Sequence, residues 1–279
     1  MKHCPYCGQD YADEITACPI DAHALTDLNA PPPPVPPRTI APMLVYPEYR
    51  WTAWDGVKCL ALYFLIELLF LISLSGFLHG LPILNWLIAG GLGSFLLSLF
   101  LFGWLLFCAA FFARTDNLKS MIQAFGLNRR PTKLVWYGMT AAVLLQLISH
   151  FLVRQGWDGQ ISNHLYDHFW QTAGFSRHWY LLAPLILAPV FAEAVYRGFV
   201  YKAFRASLPV AASMGCMLVS ALFSHWSQFS QSWSAALAIA GITVTQCWLR
   251  EKSDSLWDCI LCHFTFNASS LLFDSAPLG

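Results

Sequence analysis

Long apolar segments constrain the fold of this chain more than any other feature of its sequence. A helix rises 1.5 Å per residue, so roughly 20 apolar residues are enough to cross the hydrocarbon core of a bilayer. Segments of this length and character cover residues 56–78, 84–112, 134–155, 179–203, 208–228, 232–250 and 255–273. The sequence therefore predicts an all-α polytopic membrane protein with about seven transmembrane helices.

The composition supports a membrane protein and excludes one class of partner. Of the 279 residues, 57% are hydrophobic and 11% are charged, whereas a soluble domain has about 25% charged residues. Residues 1–55 carry seven acidic side chains against three Lys or Arg. A phosphate backbone would repel this acidic segment, so we expect no nucleic-acid partner.

The positions of lysine and arginine predict the orientation in the membrane. These residues follow the second, fourth and sixth predicted spans, and the loops after the first and fifth spans carry none. Cytoplasmic loops are enriched in Lys and Arg, so we expect an integral protein of a bacterial inner membrane with a cytoplasmic N-terminus. The counted cations are Arg114, Lys119, Arg129, Arg130, Lys133, Lys202, Arg205, Arg250 and Lys252.

The first residues of the chain resemble a zinc ribbon. Cys4-Pro-Tyr-Cys7 is a CxxC turn, and Cys18-Pro-Ile-Asp21 repeats its spacing with Asp in place of a fourth Cys. Three thiolates and one carboxylate can complete a tetrahedral Zn²⁺ site, and His23 is the alternative fourth ligand. So short a module has too little core to fold without a staple, which favours a structural zinc ion over a degenerate, metal-free ribbon.

The sequence divides into three parts. Residues 1–28 form the zinc-ribbon-like module, and residues 29–50 form a proline-rich linker whose run at 31–37 favours a stiff polyproline II helix. Residues 51–279 form the transmembrane domain. A cytoplasmic module on a stiff spacer suits a recruiting role, so a protein partner for the module is a further expectation.

A few polar side chains interrupt the last predicted spans. Glu193 and Arg197 are four residues apart, as are His263 and Asn267, so each pair shares a helix face. His225 lies near the end of the span between them. Ionisable groups at membrane depth are costly and mark functional sites, so we predict that three helices direct these groups into one chamber.

Such a set of side chains supports hydrolysis of an amide. A carboxylate with a His can take a proton from water, and a second His with an Asn amide can donate to the oxyanion that forms. Arg197 would keep a carboxylate ionised and oriented. The alternatives are a structural Glu–Arg pair, a His that only bonds a neighbouring helix, and a metal bound by Glu193, His225 and His263.

From Ala188 to Asn267 the chain resembles the type II CAAX prenyl endopeptidases and bacteriocin-processing proteases. That family shows Glu-Glu-x-x-x-Arg, then Phe-x-x-x-His, then His-x-x-x-Asn. The resemblance implies an intramembrane glutamate protease that acts on a peptide or protein at the bilayer and uses no metal or other cofactor for catalysis. The matching positions are Ala192, Glu193, Arg197, Ala221, His225, His263 and Asn267.

Two positions depart from the family pattern. Ala221 replaces an aromatic residue and should alter packing only. Ala192 replaces the first glutamate, which in the family activates water, and Glu193 points about 100° away on a regular helix. We therefore expect this chain to be nearly inactive as a protease. The alternative is a non-catalytic membrane protein that binds a peptide or partner, such as a scaffold or immunity factor.

Overall fold

The structure of the protein is a computed structural model. It describes residues 2–3, 10–12, 14–19, 26–27, 51–76, 91–115, 117–158, 181–225 and 232–274. The chain divides into two compact units, Met1–Met43 and Leu44–Gly279. The units are taken in turn below.

The first unit contains a small antiparallel sheet of three strands. Its strands are β1 (Lys2–His3), β2 (Asp10–Tyr11) and β3 (Thr26–Asp27), with β1 in the centre. Cys18 is buried, and its Sγ lies 3.4 Å from the Tyr11 hydroxyl. The other predicted zinc ligands lie outside the described residues, so the zinc site stays a prediction; they are Cys4, Cys7, Asp21 and the alternative His23.

The second unit is helical throughout its described part, which confirms an all-α membrane type of fold. Each of the seven predicted spans coincides with one helix. The helices are α1 (Ala53–Gly76), α2 (Gly91–Ala113), α3 (Leu118–Phe125), α4 (Val135–Arg154), α5 (Ala183–Arg205), α6 (Val210–Ser224), α7 (Trp233–Ser253) and α8 (Leu256–Asp274).

Length and apolar character identify fewer spans than the sequence predicted. Among the described residues, α4 and α5 are long and apolar enough to cross a bilayer. A third span is present if Ser98–Ala113 of α2 and the bent continuation α3 count as one. The described helices thus support a membrane protein, and the number seven remains a prediction.

Helix α3 is an element that the sequence analysis treated as a loop. Its N-terminus is closed by Asn117, whose Oδ1 accepts from Ser120 N at 2.9 Å while Ser120 Oγ accepts from Asn117 N at 3.2 Å. It ends at Gly126, whose φ of 82° is the left-handed conformation that glycine adopts most easily. The apolar positions at 118, 121, 122 and 125 were the signal for this short amphipathic helix.

Helix α5 is wound with wide turns around the candidate site residues. Ala183–Ala192 and Ala194–Val200 are π-helical, and Tyr201–Arg205 is α-helical. In a regular helix the ring of Pro189 would clash with the carbonyl of Leu185, and a wider turn relieves that clash. The angle of about 100° between positions 192 and 193 applies to a regular α-helix. In the wider turns of α5, the angle between these two side chains around the helix axis is smaller.

Glycines let the helices approach one another closely. A Cβ added to Gly138 of α4 would lie 2.5 Å from Leu249 Cδ1 of α7 and 3.3 Å from Cys262 Sγ of α8. A Cβ on Gly198 of α5 would lie 3.0 Å from Phe125 Cβ of α3. Small residues at helix interfaces are the usual packing device within membranes. These contacts fix α7 and α8 against α4, and α3 against α5.

Five charged residues form a cluster at the ends of α5 and α7, which we call the end cluster: Lys202, Arg205, Arg250, Glu251 and Asp254. Two of its cations close the C-terminus of α3. Lys202 Nζ donates to Ala124 O at 3.0 Å, and Arg250 Nη2 donates to Phe125 O at 2.9 Å. The last carbonyls of a helix lack intrahelical partners, and cations are favoured at that end, so the end cluster holds α3 in place.

Acidic side chains complete the end cluster. Asp254 Oδ1 lies 3.3 Å from both Lys202 Nζ and Arg250 Nη2. Arg205 donates to Glu251 through Nε and Nη2 at 3.0–3.3 Å. Lys202, Arg205 and Arg250 were counted as loop cations in predicting the orientation. The structure corrects this, because all three residues belong to the helices α5 and α7 and their side chains are buried.

Candidate active site

The Glu193 carboxylate is the point at which three helices meet. Glu193 lies on α5, is fully buried, and its Oε1 accepts from Arg197 Nη1 one turn later at 3.2 Å. Gln246 Nε2 of α7 donates to the same oxygen at 3.0 Å. His263 Nδ1 of α8 lies 2.7 Å from it. Of the four side chains predicted to share a chamber with Glu193, two, Arg197 and His263, are therefore in direct contact with it.

The partners of Glu193 define which nitrogen of His263 is free. If the Glu193 carboxylate is ionised, it only accepts hydrogen bonds, and the contact at Nδ1 then requires a proton on that nitrogen. The other ring nitrogen, Nε2, then faces away from Glu193. It is an acceptor when the ring is neutral and a donor when the ring carries both protons.

Two buried polar atoms of the Glu193–Arg197 pair lack a hydrogen-bond partner in the described part of the structure. They are Glu193 Oε2 and Arg197 Nε. An unsatisfied buried polar group costs about 1–3 kcal/mol, and more when the group is charged. Orphaned atoms of this kind are rare in proteins, and a catalytic role is one of the recognised reasons for them.

Asn267 replaces a backbone hydrogen bond that α5 cannot form. In a π-helix the carbonyl of Pro184 would accept from the N–H of residue 189, but Pro189 has no N–H. Asn267 Nδ2 donates to Pro184 O at 2.7 Å instead. An amide nitrogen carries two protons, and this bond to the backbone uses one of them.

His225 lies just beyond the end of α6. Its backbone N–H donates to Ala221 O at 3.1 Å, and its ring is exposed. The ring lies within electrostatic range of His263 and Arg197. The preceding residue, Ser224, is tied to α5 by a 3.0 Å contact between its Oγ and the Tyr196 hydroxyl. The structure thus places His225 beside the Glu193 site without a direct bond to it.

Ala192 ends the first π-helical segment of α5 and is partly exposed. Its methyl group offers no donor or acceptor. In the neighbouring Glu193, Oε1 holds three contacts and Oε2 has no hydrogen-bond partner among the described residues.

A comparison with protein families identifies this region. Residues 174–269 match the model of the type II CAAX prenyl endopeptidase Rce1-like family. Over these residues, about a third of the chain, the sequence is similar to that family. The match confirms the resemblance predicted from the three motifs, and it spans every candidate residue from Ala192 to Asn267. No curated protein and no solved structure matches the chain.

The match to this family model and the apolar helices together support an integral membrane protease of the CAAX type. Within the family segment, the arrangement brings Glu193, Arg197 and His263 into contact and places Asn267 one turn farther along α8. Among the described residues, no group of three or more His, Cys, Asp or Glu side chains has the geometry to hold a metal ion.

Gln246 is a site residue that the sequence analysis missed. It is buried on α7 and contributes the third contact to Glu193 Oε1. Its backbone carbonyl also lies 3.3 Å from Cys259 Sγ of α8, which fixes its position between the two helices. The available signal was a single amide in the apolar segment Thr243–Cys247, where a polar side chain needs a partner.

Proposed function

We propose that this protein belongs to the peptide-bond hydrolases that work inside the bilayer. The observation that supports this most is the convergence of α5, α7 and α8 on one oxygen of Glu193 within the family segment. Burying a carboxylate and a guanidinium among apolar helices is costly, and a set of donors arranged around them suits chemistry better than packing. The substrate is a peptide or a protein segment at the membrane.

The residues take the following roles in the proposed reaction. A carboxylate at position 192, acting with His225, takes the proton from water in the family pattern. Glu193 and Arg197 form the buried pair that positions His263. His263, when doubly protonated, donates through Nε2, and the second N–H of Asn267 donates beside it, to the oxyanion of the scissile carbonyl.

Ala192 removes the general base from this arrangement. The oxyanion donors and the buried pair remain, so the chain should still bind a peptide and orient its carbonyl. We therefore infer a slow protease that uses no catalytic metal. General acid–base catalysis contributes about 10²–10⁴-fold to a rate, which is the activity that Ala192 would forfeit.

The test is a peptide-cleavage assay in liposomes with the Ala192→Glu variant. We expect cleavage about 10²–10⁴-fold faster than with the unchanged chain, because the variant regains a carboxylate beside His225. Ala192→Gln is the matched control, since it has the same size and no basic oxygen. The gained activity should survive a metal chelator. Equal rates for the Glu and Gln variants would contradict the proposed mechanism.

A second candidate function rests on the same position. Because Ala192 leaves the donors of Asn267 and His263 without a base, the chamber can hold a peptide without cutting it, as a scaffold or immunity protein would. The cleavage assay separates the two candidates. The binding function is favoured if the Ala192→Glu and Ala192→Gln variants both retain the peptide and Ala192→Glu does not cleave it.

For the N-terminal unit we propose a structural zinc ion held by Cys4, Cys7, Cys18 and either Asp21 or His23. The buried Cys18 thiol beside β2 is the supporting observation. With the predicted cytoplasmic N-terminus, these thiols face a bacterial cytosol, which keeps them reduced and available to bind a metal. The module so folded would recruit a protein partner.

Metal analysis tests the proposed zinc site. We expect one zinc ion per chain, lost in Cys18→Ser and kept in the control Cys216→Ser, whose thiol lies on α6. Loss of zinc in Asp21→Ala but not in His23→Ala would assign the fourth ligand. A chain that binds no zinc when purified under reducing conditions would disprove the site.

A further inference from the structure

A basic surface with exposed aromatic and aliphatic side chains surrounds α3 and the first turn of α4. We call residues 117–137 the interfacial shelf. Its exposed cations are Lys119, Arg129, Arg130 and Lys133. Its exposed apolar side chains are Leu118 on α3, with Trp136 and Tyr137 on α4. The Glu193 site uses none of these residues.

If α2 crosses a bilayer, the angle between α2 and α3 puts this shelf along the membrane surface. The axis of α3 is bent by 88° from that of Ser98–Ala113 in α2. A bilayer that α2 crosses therefore runs parallel to α3. An amphipathic helix in this orientation lies at the boundary between headgroups and acyl chains, with its polar face outward.

The first turn of α4 also indicates a position at the level of the lipid headgroups. Helix α4 is long and apolar enough to cross a bilayer and begins at Val135. Trp136 and Tyr137 are each 68% exposed in its first turn. Aromatic residues at the ends of membrane spans sit among the lipid headgroups. Lys133, two residues before the span, is therefore positioned at headgroup level.

The end cluster holds the C-terminal end of α3 in the shelf in a fixed position. Ala124 and Phe125 at the end of α3 are fully buried, and their carbonyls accept from Lys202 and Arg250 of the end cluster. The N-terminal half of α3 is open, and Leu118 is 66% exposed. A binding surface held in this way loses little conformational freedom when a ligand arrives.

Three of the four exposed cations of the shelf have no acidic partner within the described part of the chain. Arg129, next in sequence to Arg130, pairs with Asp254 at 2.7 Å, and Arg114 lies 3.9 Å from Asp55. Lys119, Arg130 and Lys133 have no such contact among the described residues and are exposed. Their charge is available to an external anion.

We propose that the interfacial shelf binds the headgroups of acidic phospholipids. Lys and Arg beside a span attract anionic lipid, while Leu118, Trp136 and Tyr137 can contact the upper acyl chains. This is the side of the membrane that the sequence predicts to be cytoplasmic. The proposal depends on membrane insertion of the chain and is independent of peptide hydrolysis.

The test titrates the full-length chain, purified in neutral detergent, with phosphatidylglycerol and separately with phosphatidylcholine, and counts bound lipids by native mass spectrometry. We expect saturable retention of phosphatidylglycerol. The triple variant Lys119→Gln, Arg130→Gln, Lys133→Gln should lose on the order of 100-fold in affinity. Arg154→Gln is the control, because this exposed cation lies at the opposite end of α4.

Two further arms keep the proposal falsifiable. Retention by the unchanged chain should weaken as salt rises, which does not depend on the folding of any variant. Inorganic phosphate at millimolar concentration should not displace the lipid. Equal retention of the two lipids, an unchanged affinity in the triple variant, or displacement by phosphate would each overturn the proposal.

Discussion

The Glu193 site and the end cluster both bury charged side chains between α5 and α7, yet they differ in how fully those charges are satisfied. In the end cluster, each of the five charged residues has a hydrogen-bond or ion-pair partner. In the Glu193 site, one carboxylate oxygen and one guanidinium nitrogen have none in the described structure. A satisfied network rigidifies a fold, whereas orphaned atoms are retained where a ligand or reaction requires them.

The two regions also show how little spacing alone reveals. Glu193–Arg197 and Arg250–Asp254 are both pairs four residues apart on a helix, at 3.2 Å and 3.3 Å. The second pair is surrounded by the C-terminal carbonyls of α3 and by other charges. The first is surrounded by Gln246 and His263 in an apolar interior. Their surroundings, and not their sequence pattern, separate a structural pair from a candidate active-site pair.

Arg250 connects the two regions. Its Nε donates to the carbonyl of Arg197 at 3.2 Å while its Nη2 reaches α3. The backbone that carries the Glu193–Arg197 pair is therefore anchored by the end cluster. Separate measurements of stability and rate are needed to distinguish damage to the anchor from damage to the site.

The largest effect on stability is expected from Glu193→Gln. This change leaves Arg197 buried without a counter-charge, and removing one partner of a buried ion pair costs about 3–5 kcal/mol. Thermal unfolding in detergent measures the loss. In the Ala192→Glu background, Glu193→Gln should also abolish the regained cleavage, because His263 loses the group that orients it.

Glu251→Gln is the matched change in the end cluster. Glu251 is partly exposed and its partner Arg205 also donates to Leu208 O at 2.7 Å, so the expected loss is below about 2 kcal/mol. Cleavage per folded molecule should be unchanged. If the two variants lose equal stability and equal activity, the distinction between the two regions is wrong.

An effect smaller than that of Glu193→Gln is expected from Gln246→Leu. The variant removes one hydrogen bond to a charged oxygen, which is worth about 1.5–3 kcal/mol. In the Ala192→Glu background we expect kcat to fall with KM nearly unchanged, since Gln246 positions Glu193 and is not placed to touch the substrate. Thr245→Val is the control, because it removes only a bond from Oγ1 to Gly241 O within α7. Identical kinetics in both variants would exclude a positioning role for Gln246.

The candidate site was partly predictable from the sequence because its motifs are local. The four-residue spacings of Glu193 with Arg197 and of His263 with Asn267 place each pair on one helix face. Gln246 was not predictable from spacing, since it lies 53 residues from Glu193 and meets it only through the packing of α7 on α5. The bond of Asn267 to Pro184 follows from the wide turns of α5, which the sequence analysis took to be regular.

The sequence by itself determined where the long apolar segments lie and that the chain belongs in a membrane, because apolar length and composition act segment by segment. It also marked the few ionisable side chains that a bilayer makes costly. Only the tertiary structure decided which charges are anchors and which remain partly unsatisfied. That distinction depends on donors and acceptors from helices far apart in the chain, and hydropathy carries no information about which of them meet.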